Sequence, residues 1–396
     1  MPLNKFKEKE AHPPRRLSLS LVITQKCNLN CLYCYENKSE RNTKQMDFST
    51  AKDVITYYMK RDDGFENVSI EFFGGEPMLA FQLIKKIVEW YNTQAWQKSA
   101  FFAILTNGTI LTKEMKEWLI KYKKQFTVGF SIDGCKEAHD LNRSNSYDLV
   151  YKNIPFFKKN WPHQPAKATF NDNSFPYIAE SIIHLESIGL NFNGGLVLED
   201  IWGDSERKMK LLNLYEDQLA KLIDFYANKT DLFPPVPLFV KIPEYISNSE
   251  EELNKLKKTT TRFCGAGHEM VTIDVDGTSY PCHRFLPICT GRKAPDNPVN
   301  RQTAWDSDKC NKCKILPSCP TCIGFNYQEN EDTSVRTTYH CEAYRLGIMA
   351  SCQLESVRLN QLKEHELSLL PEEEKNKIRV RLDSILNIIE KGLDIP

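Results

Sequence analysis

The feature that most constrains this chain is a sixfold alternation of two periodicities. Apolar and β-branched runs of strand length fall at Leu17–Ile23, Val68–Phe73, Phe101–Thr106, Thr127–Ile132, Ala166–Phe170 and Phe192–Leu198. Between and after them come segments with helical spacing: Ser49–Lys60, Ala80–Tyr91, Thr112–Tyr122, Tyr147–Asn160, Pro176–Ile188 and Ser205–Asn228. Ser49 and Thr112 read as N-caps. Such alternation predicts parallel strands with right-handed crossovers, as an open sheet or a barrel. In both, chemistry gathers at the C-terminal ends of the strands. Here CNLNCLYC follows the first strand, GGEP the second and TNG the third, while SIDG closes the fourth.

Composition excludes several classes. The 396 residues are 41% hydrophobic and 26% charged, as in packed globular proteins rather than disordered or fibrous chains. Lys plus Arg and Asp plus Glu both number 52, so no global field favours nucleic acid or an anionic membrane. The apolar runs are too short to span a bilayer, and MPLNKFKEKE has no secretory h-region. A cytoplasmic protein is expected, with neither a nucleic-acid nor a membrane partner.

Thirteen cysteines in a reducing compartment point to metal or redox chemistry rather than disulfides. Three cluster at Cys27, Cys31 and Cys34. Seven more lie at Cys264, Cys282, Cys310, Cys313, Cys319, Cys322 and Cys341. The organisation expected is an extension over residues 1–16, a β/α core over 17–232, and a proline-rich, charge-dense linker over 233–261. A cysteine-rich region follows over 262–345, where metal replaces a hydrophobic core and Met270–Val275 with Asp276-Gly277 suggests a hairpin. Residues 346–396 read as helical, with Leu346–Lys363 and Glu372–Lys391 separated by Pro371.

Three thiolates at CxxxCxxC suit a 4Fe-4S cube with one iron left for another ligand, whereas a structural zinc takes four. Here Cys27, Cys31 and Cys34, with Tyr33 before the last of them, resemble the signature of the radical S-adenosylmethionine superfamily. That resemblance implies a partial (β/α)6 TIM barrel in which the open iron binds S-adenosylmethionine and reduction yields a 5'-deoxyadenosyl radical. It also implies that Gly74, Gly75, Glu76 and Pro77 form the family's GGE motif, with Glu76 accepting from the ligand's ammonium. The paired glycines let a backbone approach closely. Ser131, Asp133 and Arg143 become candidate contacts to S-adenosylmethionine, Ser131 and Arg143 for its carboxylate. Taken singly, Arg143 reads equally as a surface ion pair and Asp133 as a turn former. Asn107 of TNG is a weaker candidate, and Cys135 reads as a small side chain.

The two CxxC pairs of the tail suit zinc and iron-sulfur equally when taken alone. Beside this core they resemble the family's SPASM extension with two auxiliary 4Fe-4S clusters. By order, Cys310, Cys313, Cys319 and Cys341 would hold the outer cluster, and Cys264, Cys282 and Cys322 the inner one. Either Cys289 completes the inner set or its iron is open. Cys352 reads as core.

The resemblance implies a small cysteine-rich SPASM-type domain and C-terminal helices after the barrel, in a maturase of ribosomally made peptides that forms thioether or carbon-carbon cross-links. Its partners would be a precursor peptide or protein and an electron donor such as flavodoxin or ferredoxin. In YPCHRF, His283 stands where sulfatase maturases carry a basic Asp, so it is the candidate proton acceptor. Arg284 is expected to pair with a substrate carboxylate or a local Glu. An amino-terminal leader-binding domain is not expected, since the first strand begins near Leu17. Alternatives are a sulfatase-maturase-like oxidase and, in another class, a zinc-binding scaffold.

Overall fold

The structure, a computed structural model, describes residues 15–37, 43–229, 232, 234, 238–239, 264–292, 310, 313, 321–361 and 370–391. Cys319, the extension before Arg15 and nearly all of the linker lie outside the described residues.

Strand β1 (Arg16–Thr24) is followed by helix α1 (Phe48–Lys60), β2 (Asn67–Gly74), α2 (Phe81–Tyr91), β3 (Ser99–Thr106), α3 (Lys113–Lys121) and β4 (Phe126–Phe130). Three short helices follow: α4 (Lys136–Asn142), α5 (Tyr147–Tyr151) and α6 (Ile154–Asn160). The core then continues through β5 (Ala166–Phe170), α7 (Ile178–Ser187), β6 (Phe192–Leu196) and α8 (Ser205–Ala227). The expected strands are all present. Helix α4 was not expected, because seven residues carry too little apolar periodicity. Thr112 caps α3, but α1 is capped by Asp47, whose carboxylate accepts from Thr50 N at 2.8 Å, rather than by Ser49.

Strands β1 to β4 pair in parallel, as do β5 and β6. A parallel bridge between Ser131 and Lys167, with Ile132 N donating to Lys167 O at 2.9 Å, joins the two sets into the predicted partial barrel. Period-2 alternation sorts the side chains. Leu17, Leu19, Leu21 and Ile23 of β1, and Phe72 of β2, are buried on the side that carries the helices. There Phe72, Phe102 and Phe126 stack with centroids 5.3–6.3 Å apart. Ser18, Ser20, Ser69, Glu71 and Lys167 occupy the alternate positions together with Val22 and Phe73, so the inner face carries polar as well as apolar side chains.

The cysteine-rich region docks on the open edge of this sheet. β7 (Met270–Ile273) pairs in parallel with β1, and β8 (Ser279–Tyr280) turns back on it through Gly277 at φ +88°. The expected hairpin is therefore present, as an extension of the barrel sheet. Its surroundings correct one expectation. Tyr280, Phe285, Leu286, Ile288, Ile323 and Tyr327 belong to the same apolar cluster as the barrel core, so burial as well as any metal holds this region. A helix not expected from the sequence runs Ile323–Asn330, and the C-terminal helices run Cys341–Asn360 and Glu372–Lys391. Arg358 fastens the first of these to the end of α8 and the turn beyond it by donating to the carbonyls of Tyr226, Lys229 and Leu232 at 2.9–3.0 Å. Cys352 is core, against Ile348, Ile385 and Ile388. Among the described residues no helix is long and apolar enough to cross a membrane.

Candidate functional site

The strand ends open into a cavity of about 690 Å³, within the range of small-molecule sites. Cys27, Cys31 and Cys34 line it from the loop after β1, together with Gly74, Gly75, Glu76, Ser131, Arg143, His283 and Cys322. Residues from β1, β2, β4 and both cysteine regions thus meet at one mouth. The three thiols of the first cluster are half-buried. Burial pushes Cys31 up to about 11, partly countered by the Arg143 guanidinium, so in the metal-free chain it is a neutral thiol that a metal must deprotonate.

This cysteine loop is held at several points. Leu32 N donates to Asn142 O at 3.0 Å, and Asn30 N to Ser144 Oγ at 3.0 Å. The Tyr33 hydroxyl donates to Asp133 Oδ2 at 2.5 Å. Asn28 donates to Thr109 Oγ1 and accepts from Asn107 Nδ2, both at 2.9 Å, which gives the TNG turn a structural task. Gly74 and Gly75 serve the same loop. A Cβ on Gly74, at φ +134°, would lie 1.9 Å from Thr24 O, and one on Gly75 would lie 2.5 Å from Lys26 O. The close approach those glycines permit is therefore to the cysteine loop's own backbone.

Glu76 is buried and already hydrogen-bonded: Oε1 accepts from Thr106 Oγ1 at 2.7 Å and Met78 N at 2.9 Å, and Oε2 from Asn107 N at 2.7 Å. Burial raises its pKa against these donors. It ties the ends of β2 and β3 together while lining the cavity. Pro77 starts the next 3-10 turn and does not line it.

Asp133 is corrected from cavity contact to supporting residue. It is fully buried and absent from the cavity wall; Oδ2 also accepts from Arg143 Nε at 2.9 Å, and Oδ1 from Thr169 N at 3.1 Å. Arg143 is consequently a buried ion-pair member rather than a surface one. Burial opposes its charge, but Asp133, with Tyr33 and Cys31, more than compensates, so the pKa is raised. The guanidinium lies 5.4 Å from the Tyr33 ring centroid. Ser131, whose N donates to Thr106 O at 3.0 Å, presents a hydroxyl side chain to the cavity beside it.

His283 lines the cavity but is placed as an aromatic wall. Its ring stacks on Phe73 at 5.0 Å and lies 5.8 Å from Tyr35. Burial, reinforced by Arg284 and Lys167, pulls it down to about 3, so the imidazole stays neutral and accepts a proton poorly near pH 7. Arg284 takes the local-carboxylate option, donating to Glu199 at 2.7 Å and to Gln328 at 3.1 Å, with its guanidinium 4.0 Å from the Tyr35 centroid.

In the second region Cys264, Cys282 and Cys322 are mutual electrostatic neighbours, and burial drives Cys282 up to about 12. Cys289 is buried with Glu36, Arg284, Cys34 and Cys282 as electrostatic neighbours, from both cysteine regions. Cys310 and Cys313 are buried beside Ile348 and Cys352, and Cys341 begins the helix Cys341–Asn360.

These donors fit iron-sulfur clusters. Leu29 N donates to Cys27 Sγ and Phe325 N to Cys322 Sγ, each at 3.4 Å, as suits thiolate ligands. Among the described residues, Cys135, Glu137 and Glu180 form the one set of three metal-ligand atoms within 4.8 Å of each other. Three thiols on one cavity wall suit a cube with an open iron, whereas a closed structural zinc takes four ligands. Lys167, on the cavity wall, is a residue the sequence reading passed over; its signal was a lone charge at an inward position of AKATF.

Residues 21–169 match the Radical SAM superfamily, and the chain carries a radical SAM domain. Among similar proteins is an uncharacterized protein of Methanocaldococcus jannaschii, 35% identical over 43% of this chain and 59% of the relative's length. A cysteine-type anaerobic sulfatase-maturating enzyme of Clostridium perfringens is 22% identical over 83% of this chain and 94% of that one. The antilisterial bacteriocin subtilosin biosynthesis protein AlbA of Bacillus subtilis is 25% identical over 69% and 56%. The solved structure of native anSMEcpe with bound AdoMet and Cp18Cys peptide shares the fold, with a TM-score of 0.62 and 21% identity over 88% of this chain and 100% of that one. Residues 21–169 thus form a radical SAM domain, and that superfamily implies a 4Fe-4S cluster and S-adenosylmethionine.

Proposed function

We propose that this enzyme matures a ribosomally made peptide by forming a thioether or carbon-carbon cross-link. The observation that carries the reading is that Cys27, Cys31 and Cys34 share one cavity wall with Cys322 of the second cysteine region. A redox tail opening onto the radical site suits a reaction that must remove an electron from its substrate. The similarity to AlbA and to a peptide-bound structure supports a peptide substrate.

When bound, the clusters and S-adenosylmethionine would supply hydrogen-abstracting radical chemistry and an electron acceptor. Cys27, Cys31 and Cys34 hold the first cluster. Ser131 and Arg143 receive the methionyl carboxylate, Arg143 being kept charged and oriented by Asp133. Gly74, Gly75 and Glu76 fix the ledge on which the ligand's amino end rests. Phe73, Tyr35 and His283 form an aromatic wall that excludes water from the radical. Cys264, Cys282 and Cys322 hold the inner auxiliary cluster, and Cys310, Cys313, Cys319 and Cys341 the outer one. An acidic electron carrier such as flavodoxin or ferredoxin would supply the initiating electron.

The test is anaerobic incubation of the iron-loaded chain with S-adenosylmethionine, a reductant and candidate peptides. Deoxyadenosine together with a cross-linked peptide is expected. Zinc without iron in the anaerobically purified protein would overturn the reading. A second reading, oxidation of a Cys or Ser side chain, is favoured by the 94% coverage of the sulfatase-maturating relative. Its aldehyde product reacts with hydrazine reagents, which a cross-link does not.

A further inference from the structure

Three cations line the cavity: Arg143, Lys167 and Arg284. The two arginines are matched by Asp133 and Glu199 at 2.9 and 2.7 Å. The Lys167 ammonium has neither an ion pair nor a hydrogen-bond partner among the described residues. Its direction is fixed by the strand. Along β5 the buried Ala166, Ala168 and Phe170 alternate with exposed Lys167 and half-buried Thr169, and Lys167 and Thr169 both line the cavity. Backbone pairing with Asn193 on β6 and with Ser131 holds that register. Desolvation by the cavity walls, with Arg143 and Arg284 nearby, lowers the lysine's pKa, and Glu71 and Asp133 only offset this. Glu71 instead accepts from Ser20 Oγ at 2.8 Å. A substrate that fills the cavity must strip water from this ammonium, which is costly unless the substrate brings an anion.

We propose that Lys167 binds a carboxylate of the peptide substrate, either an acidic side chain or the C-terminus, and so selects which peptides enter. This rests on the peptide-maturase reading. The other source of a carboxylate in this cavity is S-adenosylmethionine itself, for which Ser131 and Arg143 already suffice.

The test uses the cluster-loaded full chain and two matched pools of cysteine-containing peptides. One pool carries Asp and Glu with free C-terminal acids; the other carries Asn and Gln with C-terminal amides. For the parent, deoxyadenosine formation and peptide modification are expected to be about tenfold greater or more with the acid pool, the scale of one charge-assisted hydrogen bond. Lys167→Met should abolish that preference and Lys167→Arg should restore it, both with parental iron content and unfolding temperature. The dissociation constant for S-adenosylmethionine, from equilibrium dialysis, should stay at the parental value in both. Equal responses of the parent to the two pools, or a preference that survives in Lys167→Met, would overturn the assignment while leaving the peptide reading intact. Weakened S-adenosylmethionine binding with an unchanged pool preference would move the carboxylate to the cofactor and also overturn it. No response of the parent to either pool would overturn both readings together.

Discussion

Replacing Asp133 by Ala tests whether the cysteine loop is held from beneath by one buried carboxylate. That carboxylate is fully buried, its Arg143 partner is 8% exposed, and it accepts three hydrogen bonds, from Arg143, Tyr33 and Thr169. Removing one partner of a buried ion pair costs about 3–5 kcal/mol, because the remaining charge is left uncompensated. Two further donors lose their acceptor as well, so the upper end of that range is expected. Adding Arg143→Met removes the stranded cation. The double variant should therefore recover part of the loss, with a coupling energy of about 2–3 kcal/mol. The assay is urea unfolding of the metal-free chain, with tryptophan fluorescence and far-UV circular dichroism required to coincide before one free energy is assigned. A loss under about 1 kcal/mol, with additive single and double variants, is what a solvated pair gives and would refute the reasoning. Since Tyr33 lies between two cysteines, Asp133→Ala should also lower iron loading.

Further outcomes are expected. Gly75→Ala puts a methyl group 2.5 Å from Lys26 O and should push the cysteine loop aside, lowering iron content after reconstitution while far-UV circular dichroism keeps its parental shape. Ala at Cys27, Cys31 or Cys34 should end deoxyadenosine formation and remove only part of the bound iron, whereas loss of all iron would mean that the two cysteine regions load as one site. His283→Phe preserves the stack on Phe73 and should leave peptide-free deoxyadenosine formation at the parental rate; a collapse of that rate would restore a chemical role to the imidazole. His139 is buried, its Nδ1 accepts from Asp133 N at 3.2 Å, and burial lowers its pKa from 6.5 to about 4. The unfolded chain then binds the extra proton first, so stability is complete above pH 6.5 and falls as pH drops toward 4, by roughly 3 kcal/mol at most. In His139→Asn, unfolding midpoints measured between pH 7 and pH 5 should vary less than in the parent.

What could be read without coordinates was whatever depends on spacing along the chain. The alternation of periods 2 and 3.6 located every barrel strand, because burial on one face repeats locally. CxxxCxxC announced a three-thiolate set within a single loop. The rest depended on partners far apart in the chain. Gln25 meets Asp274 across 249 positions, β7 lies against β1, and Arg143 finds its carboxylate on the turn after β4. Glu76 is legible as an acceptor, but not that two amides and a hydroxyl already bond to it, and His283 as a candidate base, but not the burial and two neighbouring cations that lower its pKa. Residue type and interval determine which groups a chain possesses. Only packing decides which of them are already satisfied by one another and which, like Lys167, are left facing the cavity, because a charge takes its free energy from whatever surrounds it in space.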